Sequence, residues 1–197
     1  MSSKICLKLL HFIIEIQNAI CGRLNKNECF LLADFLNQLK LIQEHINLIL
    51  DKMKEIAEPY SKALEQMDSI VGIDITATLL ILAEIGSNVQ QNFKTSAHLC
   101  SLAWLSPRND QSAGKIKSKK VMHGNPYIKS ILYQVAWVAA KNRKTPFSRW
   151  FWANQQRLSK KKAIVAVSRK ILSNIYYLLV NDKYYDNDIA MRLYPYR

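Results

Sequence analysis

The sequence predicts an all-α, mainly helical fold: a long coiled-coil helix, then a compact helical domain carrying a basic loop or short hairpin. Three observations predict it. Gly and Pro number only five each in 197 residues, so little interrupts the chain. Leu32, Phe35, Leu39, Ile42, Ile46, Ile49, Met53 and Ile56 alternate by three and four without a break, as the a and d positions of a heptad repeat do. Later segments repeat apolar residues at helical spacing between clear start and stop residues. The expected organisation is an amphipathic helix in 1–27, a coiled-coil helix in 28–66, the compact domain in 67–182 and a polar tail in 183–197.

Residues 5–20 are apolar, but Lys8, His11 and Glu15 interrupt them, and the run is shorter than the roughly 20 residues of a membrane span. An amphipathic helix of a cytoplasmic, nucleoid-associated protein is expected there, with no membrane partner. In the heptad segment Gln, Lys, Glu, Asn and Asp supply a solvated face. Two readings stay open: pairing with a second copy through residues 32–56, or packing within one domain, since Leu31, Leu36, Leu41, Leu48 and Leu50 widen the stripe. Pro59 marks a kink or a break.

Gly72 stands between apolar residues ahead of a helix that runs to about Ile85 and stops at Gly86. A helix-hairpin-helix turn would present amide groups to a phosphate there. Asp74 sits where such a turn carries its second glycine and would repel the phosphate, so a structural turn is the stronger reading. A short helix near Thr95–Ala103 follows, then the polar stretch Asn109-Asp110-Gln111-Ser112-Ala113-Gly114-Lys115. Lys115, Lys117 and Lys119 alternate, and in an extended strand they share one side. Asn125 as N-cap and Pro126 at N1 start a helix with Ile128, Ile131, Leu132, Val135 and Ala139 on one face. Thr145-Pro146 opens the next, in which Trp150, Phe151 and Trp152 cannot all share a face. One or two belong to the core and one to an interface; base stacking is the weaker reading because stacking platforms are usually strands or loops. Ser159 is expected to cap the last long helix, about Lys160–Val180, with Ile164, Val167, Ile171, Ile175 and Leu178 buried. Lys160, Lys161 and Lys162 in its first turn oppose the helix dipole, which a bound anion would relieve and free solvation would equally allow. Tyr184, Tyr185, Tyr194 and Tyr196 have no reading from sequence.

The net charge of +13 is unevenly placed. Residues 94–170 hold 17 Lys/Arg against one acid, Asp110, while 1–93 net −3 and 171–197 net zero. A basic block between neutral flanks reads as a polyanion-binding surface, with DNA the expected partner, because charge kept only for solubility is mixed in sign. Cys6, Cys21, Cys29 and Cys100 show no C-x-x-C spacing and do not cluster with His11, His45, His98 and His123. Reduced thiols are expected, with no metal ligands and no cofactor in this chain.

An ordered series of motifs spans more than half the chain. It comprises Ile70-Val71-Gly72-Ile73-Asp74-Ile75-Thr76-Ala77 with Leu79-Leu80 and Ala83-Glu84-Ile85-Gly86; Phe93-Lys94-Thr95-Ser96-Ala97-His98-Leu99; Leu105-Ser106-Pro107; Ser112-Ala113-Gly114-Lys115; Lys120 with Gly124-Asn125; and Lys161-Lys162-Ala163 through Val167-Ser168-Arg169-Lys170-Ile171-Leu172. In order and spacing, residues 69 to about 182 resemble the C-terminal domain of transposases of the insertion-sequence one-ten family, bridge-RNA-guided recombinases. Val71 replaces the family's proline, Asp74 its second glycine and Trp104 the glycine before Leu105.

The resemblance implies that Ser112 is the nucleophile that attacks a DNA phosphodiester and forms a phosphoserine link. Lys115, Lys117, Lys119, Lys120, Asn125, Lys129, Lys160, Lys161, Lys162, Arg169 and Lys170 are the candidate DNA contacts. A serine hydroxyl needs a base or metal to activate it. The family supplies Mg²⁺ on a RuvC-like DEDD domain ahead of the coiled coil, and a guide RNA as a further partner. Residues 1–30 offer no strand-borne Asp followed by spaced acids, so the chain reads as a transposase lacking that domain, expected to need it from elsewhere. The competing readings are a non-catalytic coiled-coil DNA-binding protein, in which Ser112 serves a turn, and a helix-hairpin-helix module resting on Gly72.

Overall fold

The structure, a computed structural model, describes residues 25–106, 110–112, 115–118 and 124–193, with only the backbone described in the two strands and at 192–193. The helix expected over 5–20 lies outside these residues, as do Lys119, Lys120, Tyr194 and Tyr196. The chain divides into two compact units, Met1–Ile56 and Ala57–Arg197.

The described part of the first unit lies on one helix, α1 (Lys26–Ala57), 32 residues long. Asn25 and Glu28 start it as a capping box: Asn25 Oδ1 accepts the Glu28 N–H at 2.9 Å and Glu28 Oε2 the Asn25 N–H at 2.8 Å. At 1.5 Å per residue it extends about 48 Å. The heptad positions sit on this continuous helix, and Phe35, Leu39, Ile42, Ile46, Ile49 and Ile56 are exposed, Ile56 to 66%. Lys52–Glu55 and Lys54–Asp51 pair one turn apart at 2.9 and 2.8 Å. Both pairs are solvated and add only about 0.3 kcal/mol each.

In the second unit Pro59 lies in a 3₁₀ turn, Glu58–Tyr60, that separates α1 from α2 (Ser61–Asp68). There follow α3 (Ile75–Ile85), α4 (Val89–Asn92), α5 (Ser96–Leu102), the strands β1 (Asp110–Ser112) and β2 (Lys115–Ser118), α6 (Pro126–Lys141), α7 (Pro146–Leu158), α8 (Lys160–Asn181) and α9 (Asn187–Leu193). The fold is all-α, and among the described residues a short hairpin is inserted between α5 and α6. Helix α8 is the hub and packs against α2, α4, α5, α6 and α7. Its stripe is the expected one: Ile164, Val167, Ile171, Ile175 and Leu178 are buried. Long and apolar enough to cross a membrane by length and composition, α8 instead spends its apolar face on this protein core. Ser168, buried on the same face, donates to the Ile164 and Leu132 carbonyls at 3.0 and 3.2 Å and so ties α8 to α6.

Side-chain caps set most of the helix starts. Asp74 Oδ1 accepts the Ala77 N–H at 2.9 Å, Thr95 Oγ1 the His98 N–H at 3.3 Å, and the buried Thr145 Oγ1 the Ser148 N–H at 3.0 Å. Asp74 is thus a cap, and Gly72 makes a structural turn. Its φ is +102° and a Cβ there would lie 3.1 Å from Ala139 Cβ and N on α6.

Ser159 departs from expectation. It stands at the start of α8, and its carbonyl accepts the Ala163 N–H at 2.9 Å. Its hydroxyl caps nothing, because φ is +67° and ψ 154°, far from the extended geometry that turns an N-cap side chain onto the following amides. The backbone lies where glycine is at ease and other residues are strained. Ser159→Gly is therefore expected to raise stability by about 1 kcal/mol, read as a higher urea midpoint; a lower midpoint would show that the hydroxyl matters.

After α8 the chain returns to α2. Asp182, in the left-handed region at φ 54°, pairs with Lys62 and accepts from Gln66 Nε2 at 2.8 Å. The hydrogen bonds from Lys62 and Gln66 hold the Asp182 carboxyl below its ordinary range. Tyr184 donates to Glu65 at 3.1 Å, the Tyr185 N–H donates to Ser69 Oγ at 2.9 Å, and the Tyr185 ring stacks on Phe147 at 5.9 Å. Two of the four uninterpreted tyrosines thus dock the segment after α8.

Candidate nucleic-acid interface

Ser112 ends β1 and pairs with Lys115 of β2 in an antiparallel hairpin whose register also joins Gln111 to Ile116 and Asp110 to Ser118. Lys115 and Lys117 therefore stand two apart on an extended strand, the condition under which alternating lysines share a side. Their side chains and that of Ser112 lie outside the described residues.

The base of this segment is clamped where it leaves and rejoins the helices. On the way in, Leu105 is buried and its N–H donates to the Cys100 carbonyl at 2.9 Å. On the way out, the Asn125 N–H donates to the Leu102 carbonyl at 2.9 Å. Gly124 fits closely between, since a Cβ there would overlap the Trp104 indole and the Leu102 carbonyl oxygen. Trp104 occupies the position of the resembled family's glycine and keeps a left-handed φ of 56°, a strain of about 1–3 kcal/mol for a residue with a side chain. Its ring packs onto Gly124 and lies 5.1 Å from Lys129 Nζ, which also sits 5.6 Å from the Tyr133 ring.

Asn125 is fully engaged by the fold. Its Oδ1 accepts from Tyr127 and Ile128 at 2.9 and 3.4 Å as the cap of α6, and its Nδ2 donates to Glu84 of α3. Two residues of separate sequence motifs, Glu84 and Asn125, thereby meet in space.

Lys160, Lys161 and Lys162 are exposed in the first turn of α8, where the leading amides have no side-chain cap. Arg169 is exposed, and Lys170 Nζ lies 5.1 Å over the Trp150 ring. Burial pushes the Cys100 thiol pKa up, and its Sγ lies 3.5 Å from Ser173 Oγ, so this thiol is a structural group. Among the described residues no group of three or more His, Cys, Asp or Glu could hold a metal ion. Two features went unread in the sequence: Trp137 as a partner of Phe151, which also meets Trp152, and Arg143, which lies 5.7 Å from the Trp152 ring.

These features define a compact helical domain with a basic hairpin clamped between two of its helices. The family model described as Transposase IS116/IS110/IS902 family matches residues 64–153, from α2 into α7. The match supports a function related to transposition. The match takes in Ser112, the hairpin lysines, Asn125 and Lys129, while Lys160–Lys162, Arg169 and Lys170 lie beyond it. No curated protein matches the chain.

Proposed function

We propose that this chain is the DNA-engaging part of a transposase, with Ser112 the nucleophile toward a DNA phosphodiester. What carries the reading is the position of Ser112: inside the matched segment, in register with Lys115, on a hairpin fixed at its base. Lys115, Lys117, Lys119, Lys120, Lys129, Lys160, Lys161, Lys162, Arg169 and Lys170 contact the phosphates of the strand. Asn125 serves as a positioning residue, anchoring the exit of the hairpin. A second copy covers the exposed heptad seam of residues 32–56. A guide RNA as partner and a nucleoid location rest on the family resemblance.

In the reaction the Ser112 Oγ–P bond forms as a P–O bond of the strand breaks. The hydroxyl proton passes to a base, and the departing strand oxygen takes one up. Among the described residues no group of three or more His, Cys, Asp or Glu could hold a metal ion; the family resemblance implies that Mg²⁺ on a DEDD domain would help to activate the hydroxyl. The test is a suicide DNA substrate with the full chain, Mg²⁺ and such a domain. A covalent protein–DNA adduct is expected, and Ser112→Ala should abolish it while duplex binding persists. Absence of an adduct, or an adduct that persists in Ser112→Ala, overturns the nucleophile and leaves a non-catalytic DNA-binding protein.

A further inference from the structure

A cavity of about 210 Å³ is lined by α6, α7 and the first residue of α8. Its walls are aromatic: Trp137 from α6, Phe151 and Trp152 from α7. Phe151 is buried and stands edge-on to both indoles, 5.8 Å from Trp137 and 5.5 Å from Trp152. The two tryptophans keep 42% and 48% of their surface exposed. Lys141 and Lys160 line the same cavity, and the Arg143 guanidinium lies 5.7 Å from the Trp152 ring.

We propose that this slot takes an unpaired base of a DNA strand, stacked on the exposed tryptophans, with the flanking phosphates on Lys141, Arg143 and Lys160. The proposal rests on the transposase reading for its choice of DNA. Size limits the occupant: the cavity is smaller than the ~300–1,000 Å³ of sites for drug-sized ligands and suits one flat ring system. Chemistry narrows it further. The slot offers aromatic faces rimmed by cations, without a carboxylate among its lining residues, and residues 94–170 hold a single acid. An apolar peptide gains nothing from those cations. A second copy placed symmetrically would set Lys141, Arg143 and Lys160 against themselves. A nucleic-acid strand uses both features, stacking through the base and pairing through the backbone. Gln155 also lines the cavity, and its Oε1 has no hydrogen-bond partner; an N–H on a base edge would supply one.

The test uses the full chain with two fluorescein-labelled strands of about 12 nucleotides, oligothymidylate and an abasic strand of equal charge. Trp152→Ala is expected to weaken oligothymidylate binding about 5- to 100-fold and to leave the abasic strand unchanged. Trp152→Phe, which keeps a ring, should recover most of the loss, and thermal melting checks the fold of each variant. Equal weakening on both strands, or none on either, overturns the slot. So does altered sedimentation without altered affinity, which would mark a protein interface. Oligouridylate bound about tenfold tighter than oligothymidylate, with the same Trp152 dependence, would make the occupant RNA and overturn the choice of DNA. In each of these cases salt-sensitive duplex binding by the wild-type chain leaves the DNA-binding reading standing; its absence sinks both.

Discussion

Gly124→Ala is expected to destabilise the Ala57–Arg197 unit by about 3 kcal/mol. The added Cβ would overlap two groups. One, the Trp104 indole, is a side chain that can swing aside at the cost of its contacts with Lys129. The other, the Leu102 carbonyl, is backbone and also accepts the Asn125 N–H that closes the base of the hairpin. Moving it breaks that bond and disturbs the cap of α6. Such a loss is a large part of the roughly 5–15 kcal/mol a domain possesses. Urea unfolding checks it: a midpoint within about 0.5 kcal/mol of wild type would mean the clamp is loose. Adding Trp104→Gly to the same chain should restore part of the stability, because it removes one obstacle and relieves the left-handed backbone at 104.

Replacing Lys160, Lys161 and Lys162 together by alanine is expected to change how DNA affinity responds to salt more than it changes stability. All three are exposed in the first turn of α8, so their removal disturbs no core contact. It also lifts three cations from a helix N-terminus, which favours the free protein slightly. If each contacts one phosphate, the slope of log affinity against log salt falls in magnitude by about 2.7. A fourfold drop in salt then widens the gap to wild type by about 40-fold. Equal slopes for the two proteins would place these lysines away from the DNA. A stability change beyond about 0.5 kcal/mol would show a structural role instead.

The helices were legible because their signals are local. Asn125-Pro126, Thr145-Pro146 and Thr95 combine a cap residue with the apolar spacing that follows, and each proved to be a start. Ser159 misled because residue type suggests a cap while φ decides whether one can form, and φ there follows from how α7 joins α8. The segment after α8 was unreadable because its partners are remote: Asp182 meets Gln66 from 116 residues away. The aromatic slot was hidden for the same reason, since Trp137 and Trp152 lie on different helices whose crossing no local pattern gives. For the hairpin, the sequence left a basic loop and a short hairpin both open. The clamp at its base, with Trp104 over Gly124, required the folded chain.

The central claim is that the localised basic block of the second unit meets DNA phosphates. Fluorescence anisotropy of a labelled duplex with the full chain, from about 50 to about 200 mM salt, tests it most directly. Six or more contacts among the ten basic candidates predict a fall in affinity of at least about 10³-fold over that range. A change below about tenfold, or binding too weak to detect at the lowest salt, would contradict it.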